Sequence, residues 1–579
     1  MKKLWTKPFI KQWPLMVAYI VLIGWISVTK NPIPRWFIIF LHAYLAAALV
    51  TWANNKIVKA IVYLVIYVLF VTEIILQWLF GMSISPNVLT LLVETNAQES
   101  AEFIESLHGK PQLWQIPACL ISMIIANIFL ERNRQYLVDK IKRTRAPKYL
   151  KILAVLLLIG GVVFSYNYVN LLKCQEMNEV DEWRSHMRNP DDLVTKLMVS
   201  FYDMSLSKKE MENVIVLTEQ AKTSISPQAD DSLNVIFIIG ESFMPDHASL
   251  YGYPLKTTPF LDNEQAAGRL FPFTDVLSPY NQTTRVIRNL LSCNSLGDGE
   301  SWASAPAFTA LYKKSGYHVA FYDNQKAADM GHSFTYSLNT YLYHPRIAKA
   351  CYDELNDSTF EFDGQLIDYY RRQQFSQQAS HRLVLFHLMG QHVSFEHRYP
   401  EEFGHFTSDS TQFRKESWLT EEMRQDIAHY DNAILYNDHV LQQITSLYDK
   451  ENTIVIFLSD HGEEVYDYRD NLGRDDWSIG SDPKQVLYFQ YRVPLNFQYR
   501  VPLIVWCSDQ FVSRHPDMVS QLKQALHRPF MIDNTCQLLF YLSGLNTSYY
   551  HPQRNVLSPE YHCPPRIIND KFDGDSILQ

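Results

Sequence analysis

Cysteine is scarce: the chain has seven in 579 residues, with no Cys-x-x-Cys pair and no spacing typical of metal ligands. That excludes a legible thiolate metal site or disulfide scaffold. Cys119 sits in an apolar run, and the other six, Cys174, Cys293, Cys351, Cys507, Cys536 and Cys563, allow at most three bridges with no deducible pairing. A basic stripe is also missing. With a net charge of −9, and Lys and Arg clustered only beside the apolar runs, nothing points to a nucleic-acid partner. Beyond about residue 170 long apolar runs disappear, and the remainder reads as a polar, aromatic-rich globular region.

What is present at the start is five apolar runs, at residues 13–28, 36–53, 60–80, 113–130 and 152–168. Each is close to the roughly 20 residues that a helix needs to cross a bilayer. A cleaved signal peptide would be a single run with a small-residue cleavage site, so a bundle of five membrane helices is the better reading. Lys2, Lys3, Lys7 and Lys11, and the loop with Arg132, Arg134, Lys140, Lys142, Arg143, Arg145 and Lys148, place the N-terminus and that loop in the cytoplasm. The loop 81–112 is poor in Lys and Arg, so it and everything after about residue 170 are expected outside. Glu73, inside the third run, is costly in lipid and marks either a functional site or a pair within the bundle.

The expected layout is a transmembrane domain at 1–170, a linker with short helices at 171–230, and a catalytic domain at 231–579. In the last, short β-branched runs alternate with amphipathic helical stretches, the pattern of an α/β domain with a mainly parallel sheet flanked by helices. The runs begin at Asn234, His318, Leu383, Thr453 and Val501. Phe489 to Leu495 recurs as Phe497 to Leu503, a local duplication and not a solenoid.

Two of these strands end in chemistry. The first runs into Gly240-Glu241-Ser242 and the fourth into Ser459-Asp460-His461-Gly462-Glu463-Glu464. Open α/β sheets bind ligands at the carboxyl ends of their strands, so two carboxylates and an imidazole are expected at one edge. Such oxygen and nitrogen ligands suit zinc, or manganese less well. Alone, a Gly-Glu-Ser carries almost no signal and an Asp-His pair in such a turn is more often a hydrogen-bonded turn than a metal site; together at two strand ends they carry more. His387, inside an apolar strand, reads as core.

The stretch Val235-Ile-Phe-Ile-Ile-Gly-Glu-Ser242, with Ser249-Leu-Tyr-Gly-Tyr-Pro254 and Thr257-Thr-Pro-Phe-Leu-Asp262 after it, resembles the opening of the catalytic domain of bacterial phosphoethanolamine transferases. Met389-Gly-Gln-His392, Tyr430-Asp-Asn-Ala-Ile-Leu-Tyr436 and Leu458-Ser-Asp-His-Gly-Glu463 follow in that family's order. The resemblance implies five membrane helices ahead of an alkaline-phosphatase- or sulfatase-like domain, in the bacterial inner membrane with the catalytic domain periplasmic. It implies metal ligation by Glu241, Asp460 and His461, and by a nucleophilic threonine at Thr283 or Thr284, of which Thr284 is preferred. A hydroxyl is a poor nucleophile unless a metal or base activates it; the plainer alternative is that these threonines cap the helix that follows. By the same resemblance His392 binds substrate phosphate or acts as acid or base, and Thr95 and Glu99 hold the lipid head group.

The implied reaction moves phosphoethanolamine from phosphatidylethanolamine to a lipopolysaccharide core sugar, lipid A or another envelope glycan through a phosphothreonine. The chain is expected to act as a monomer. Leu91 and Met244 depart from the family pattern, and no His occurs between His461 and His515, which leaves a second ion open. A glycerophosphate transferase of the lipoteichoic-acid type is the enzymatic rival, opposed by Leu250-Tyr-Gly-Tyr253 and Asp431-Asn-Ala-Ile-Leu-Tyr436. Sulfatase chemistry needs Cys or Ser in a C/S-x-P-x-R context, which is absent near the site.

Overall fold

The computed structural model describes residues 8, 10–30, 36–80, 84, 112–142, 146–171, 193–226, 230–326, 341–373, 379–474, 496–570 and 572–577. The chain divides into two compact units, the first running to Leu206 and the second beginning at Ser207.

In the first unit, apolar sequence becomes helix: Trp13–Lys30, Trp36–Ala53, Lys56–Phe80, Gln112–Arg132 and Ala146–Leu171. Three stretches among the described residues are long and apolar enough to cross a membrane, Trp36–Ala53, Lys56–Gln77 and Trp114–Arg132. The first and last of the five helices carry shorter apolar stretches among the described residues, Trp13–Gly24 and Ile152–Val163. Large side chains on these helices, among them Leu64, Ile125 and Val162, stand exposed, as a hydrocarbon solvent permits. Gly161 lets two helices touch, since a Cβ there would lie 2.5 Å from the Phe37 carbonyl oxygen.

Glu73 is fully buried and paired. Its carboxylate meets Lys196 Nζ at 2.9 Å, and accepts from the Ile84 backbone at 2.8 Å and Gln77 at 3.0 Å. This is the paired alternative for Glu73. Lys196 belongs to Leu193–Gln220, a single helix of 28 residues where short helices were expected. No Pro or Gly falls within it, so nothing in the sequence interrupts the helix.

The second unit is built on a seven-stranded mixed sheet. Its strands are β1 (Leu233–Gly240), β2 (Leu270–Phe273), β3 (His318–Asp323), β4 (Glu354–Leu355), β5 (His381–His387), β6 (Thr453–Ser459) and β7 (Leu503–Cys507). They lie side by side as β2, β7, β6, β1, β5, β3, β4. From β6 to β4 all neighbours are parallel, whereas β7 is antiparallel to both β6 and β2. All five apolar runs became strands. The edge strand β2 was not legible because it carries Pro272, tolerable only where a missing N–H costs no ladder bond.

Strand β1 is buried along its whole length, as its uninterrupted apolar run requires of a central parallel strand. The 28-residue helix Glu421–Tyr448, capped by the Thr420 side chain, packs Ile427, Tyr430, Ile434, Leu441, Ile444 and Tyr448 into the same core. Its polar partners are buried too. Asp431 Oδ1 lies 2.6 Å from His247 Nδ1, while His247 Nε2 meets Asp467 at 3.2 Å. Tyr253 and Arg414 complete the cluster, at 2.9 Å from Asp431 and 3.1 Å from Asp467. One imidazole thus ties the loop after β1 and the loop after β6 to the long helix.

Burial alone would lower the His247 pKa, but the two carboxylates hold it up at about 9, against an ordinary 6.5. A folded-state pKa raised in this way stabilises the fold fully below pH 6.5 and is lost as pH rises through 9. The contribution is roughly 2–4 kcal/mol, since each tenfold gain in proton affinity is worth about 1.4 kcal/mol. Unfolding of the detergent-solubilised protein should therefore become easier between pH 6.5 and 9, and His247→Gln should flatten that dependence. An equal dependence in the variant would show that the cluster does not matter to stability.

Candidate functional site

Parallel pairing of β1 with β6 sets Gly240 against Ser459, so the next residues, Glu241 and Asp460, emerge together at the carboxyl edge. The turn that follows β1 is strained. Ser242 has φ of 56°, a region costly for a residue with a Cβ, and it is held there from several sides. Its N–H donates to Asp460 Oδ1 at 3.2 Å, its carbonyl accepts from Tyr430 at 2.6 Å, and its hydroxyl bonds Glu241 at 2.8 Å and Glu463 at 3.1 Å.

A second strap comes from β5. Asp363 accepts the N–H groups of Met389 and Gly390, each at 2.9 Å, and Gln391 N donates to Glu241 O at 3.0 Å. Gly390 has φ of 49°, and a Cβ on it would stand 2.8 Å from Glu241 O and 2.9 Å from Glu241 N. Only glycine fits, because the β5 loop presses directly on the Glu241 backbone.

Glu241, Asp460 and His461 are completely buried, with one donor atom from each within 4.8 Å of the others. His461 Nδ1 lies 3.0 Å from the Gly462 carbonyl, which makes Nδ1 the protonated nitrogen and leaves Nε2 a bare lone pair. That lone pair faces Glu241 Oε1 at 3.3 Å and Asp460 Oδ2 at 3.1 Å. Asp460 Oδ2 is itself buried without a hydrogen-bond partner among the described residues. The donor atoms of Glu241, Asp460 and His461 converge, and one nitrogen with carboxylate oxygens suits zinc-type ions.

The charges of the site agree. Burial, then Glu241, push the Asp460 carboxyl well up. Burial also opposes ionisation of Glu241, but the positive charge beside it, that of Arg474 among it, holds Glu241 below the usual carboxylate range. Burial and the nearby Arg474 depress the His461 pKa to about 3, which keeps the imidazole neutral and able to coordinate.

Thr283 is the hydroxyl that meets this triad. Its Oγ1 donates to Glu241 Oε2 at 3.0 Å and lies 3.2 Å from His461 Nε2. Thr284, preferred from the sequence, is the next residue of the helix Thr283–Leu290, about 100° further round its axis. Of the two threonines, Thr283 is the one seen to make these contacts with Glu241 and His461. Neither threonine is the N-cap, which is Gln282. His392 acts electrostatically on both Glu241 and His461. Thr95 and Glu99 lie outside the described residues, as do Cys174 and the first copy of the duplicated segment.

Sequence reasoning missed several groups. Gln325, after β3, donates to Glu241 Oε2 at 3.3 Å and to Leu388 O at 2.7 Å. Arg474 Nη1 contacts His461 Nε2, while Arg474 Nε pairs with Glu463 at 3.2 Å. No spacing rule marks them, since each arrives from a different loop. His387, read as core, is indeed buried, yet it is bonded to Asp323 at 2.9 Å, and its Nε2 has no hydrogen-bond partner among the described residues. The six described cysteines are all free thiols.

The pattern common to the sulfatase family matches residues 233–529. The phosphoethanolamine transferase EptC of Escherichia coli strain K12 is 22% identical over 541 residues, 90% of this chain and 86% of that protein. Among solved structures, the zinc complex of the C-terminal periplasmic domain of EptC from Escherichia coli gives a TM-score of 0.51 at 24% identity, over 62% of this chain and 96% of that one. The integral membrane lipooligosaccharide phosphoethanolamine transferase A (EptA) from Neisseria meningitidis gives 0.58 at 14% identity, over 96% and 97%. These likenesses establish the fold, including that of the N-terminal helices.

Because Gly390 sets the position of Glu241 without being a ligand, Gly390→Ala should weaken divalent-metal binding about 10- to 100-fold, as loss of an outer support commonly does. Competitive metal titration of the intact protein, with circular dichroism to verify folding, reads this directly. Affinity equal to that of the wild type would contradict the packing argument.

Proposed function

The chain belongs to the sulfatase family, and on that premise we propose that it transfers phosphoethanolamine from phosphatidylethanolamine to an envelope glycolipid of the lipopolysaccharide class. The observation that carries this reading is the Thr283 hydroxyl on Glu241 and His461, where a sulfatase would need a modified Cys or Ser. A threonine gives a phosphoester intermediate that a second hydroxyl can displace. The transferase names of EptC and EptA, and the lipooligosaccharide in the latter, support the group and the class of acceptor.

Glu241, Asp460 and His461, with Thr283 as fourth donor, would hold zinc, the ion bound in the EptC domain structure. Bound there, zinc supplies a lowered hydroxyl pKa and neutralises charge on the transferring group. The chain's own residues do the rest. Glu241 and His461 orient Thr283 Oγ1 toward phosphorus. The Thr283 hydroxyl gives its proton to solvent, to regain one when the group leaves; its O–P bond forms as the P–O bond to diacylglycerol breaks, and His392 protonates the departing oxygen. An acceptor hydroxyl, relieved of its proton by His392, then attacks phosphorus and the Thr283 O–P bond breaks.

On this reading the apolar helices of the first unit lie in the bacterial inner membrane, all five of them as spans. The second unit is periplasmic, as the distribution of Lys and Arg implies. Thr95 and Glu99, from the outward loop, bind the ethanolamine head group.

Thr283→Ala should reduce diacylglycerol release from a fluorescent phosphatidylethanolamine by at least about 1,000-fold, the scale of losing a nucleophile. Thr283→Ser should keep measurable turnover and Thr284→Ala most of it. Full release by Thr283→Ala would sink the mechanism.

A further inference from the structure

Arg474 reaches the triad by a short detour. The chain leaves the site after Glu463, pairs Glu464 and Val465 with Gly473 and Leu472 in a two-stranded hairpin, and returns. The guanidinium is then fixed at two points that are not metal ligands. Nε pairs with Glu463 Oε2 at 3.2 Å, and Nη1 donates to the Asn281 carbonyl at 3.1 Å, two residues before Thr283. Nη1 also rests on the bare Nε2 lone pair of His461. The side chain keeps 26% of its surface open.

That last contact cannot coexist with a metal ion, because two cations cannot share one lone pair. When the ion takes Nε2, Nη1 has to leave it, while the salt bridge through Nε can persist. The arginine then stands tethered next to Thr283 with N–H donors freed on the outer edge of its fork. Planar guanidinium donors match pairs of non-bridging phosphoryl oxygens. The two triad carboxylates only offset a divalent ion, so an entering phosphodiester still meets no net positive charge without a further cation.

We propose that Arg474 is the phosphate-binding residue of this site, holding the non-bridging oxygens of a phosphodiester beside Thr283, and that it competes with the metal for His461 while the site is empty. The inference rests on the proposed function and deepens it: one ion and one arginine share the work of holding the transferring group. The chemistry recognised is a phosphate anion, carried by a lipid head group or free in solution.

The test uses the full-length protein in detergent. Zinc affinity is measured by competition with a chelator. Calorimetric titration of the zinc-loaded protein then uses inorganic phosphate and, separately, a water-soluble short-chain phosphatidylethanolamine. R474A should bind zinc at least as tightly as wild type, since a competitor is gone. It should bind both phosphate compounds about tenfold or more weakly, the scale of losing a charge-assisted pair, and R474K should recover part of the loss.

Unchanged phosphate affinity in R474A, or loss of zinc with it, would overturn the inference. Weakening toward inorganic phosphate alone would also overturn it, because the lipid phosphodiester would then bind elsewhere. Failure of the underlying transferase reading shows differently, as diacylglycerol release that does not depend on Thr283.

Discussion

Two carboxylates, Glu241 and Asp460, are packed against one neutral imidazole in a place that water does not reach. In a dry site like charges cannot both persist, and an acceptor such as Asp460 Oδ2 left without a donor is expensive. The rest of the second unit follows from keeping these groups together in spite of that cost. The parallel register of β1 and β6 delivers both carboxylates to the same edge. A cation is what would turn their repulsion into binding energy, and the Thr283 hydroxyl lies against Glu241 and His461.

Holding the arrangement requires support that does not itself touch substrate. Tyr430 grips the strained Ser242 turn from the long helix. Asp363 fixes the β5 loop that presses on Glu241 through Gly390 and carries His392. His247 joins the loops after β1 and β6 to the same helix through Asp431 and Asp467. Three independent straps thus converge on two strand ends, so the donor atoms are set before any ion arrives, as preorganised sites require. The strain at Ser242 is a local cost offset by the packing around it.

Much of this was legible in the residues themselves. Uninterrupted apolar runs such as Val235 to Ile239 announce buried parallel strands, and carboxylates directly after two of them announce the site. What stayed hidden depended on tertiary contacts. Thr283 and Thr284 differ only in the direction they face on a helix, which adjacent positions cannot reveal. Arg474 comes back through a hairpin whose return no periodicity encodes. The edge strand Leu270–Phe273 was masked by its proline, and the long helix Leu193–Gln220 by a polar composition that read as linker.

The central claim is that one particular hydroxyl carries the transferred group. Mixing the zinc-loaded protein with phosphatidylethanolamine in the absence of acceptor, quenching in acid, and sequencing the tryptic peptide Leu270 to Arg285 by tandem mass spectrometry tests it most directly. The mass of one phosphoethanolamine is expected on Thr283. The group found on Thr284, or diacylglycerol released with the peptide unmodified throughout, would contradict it.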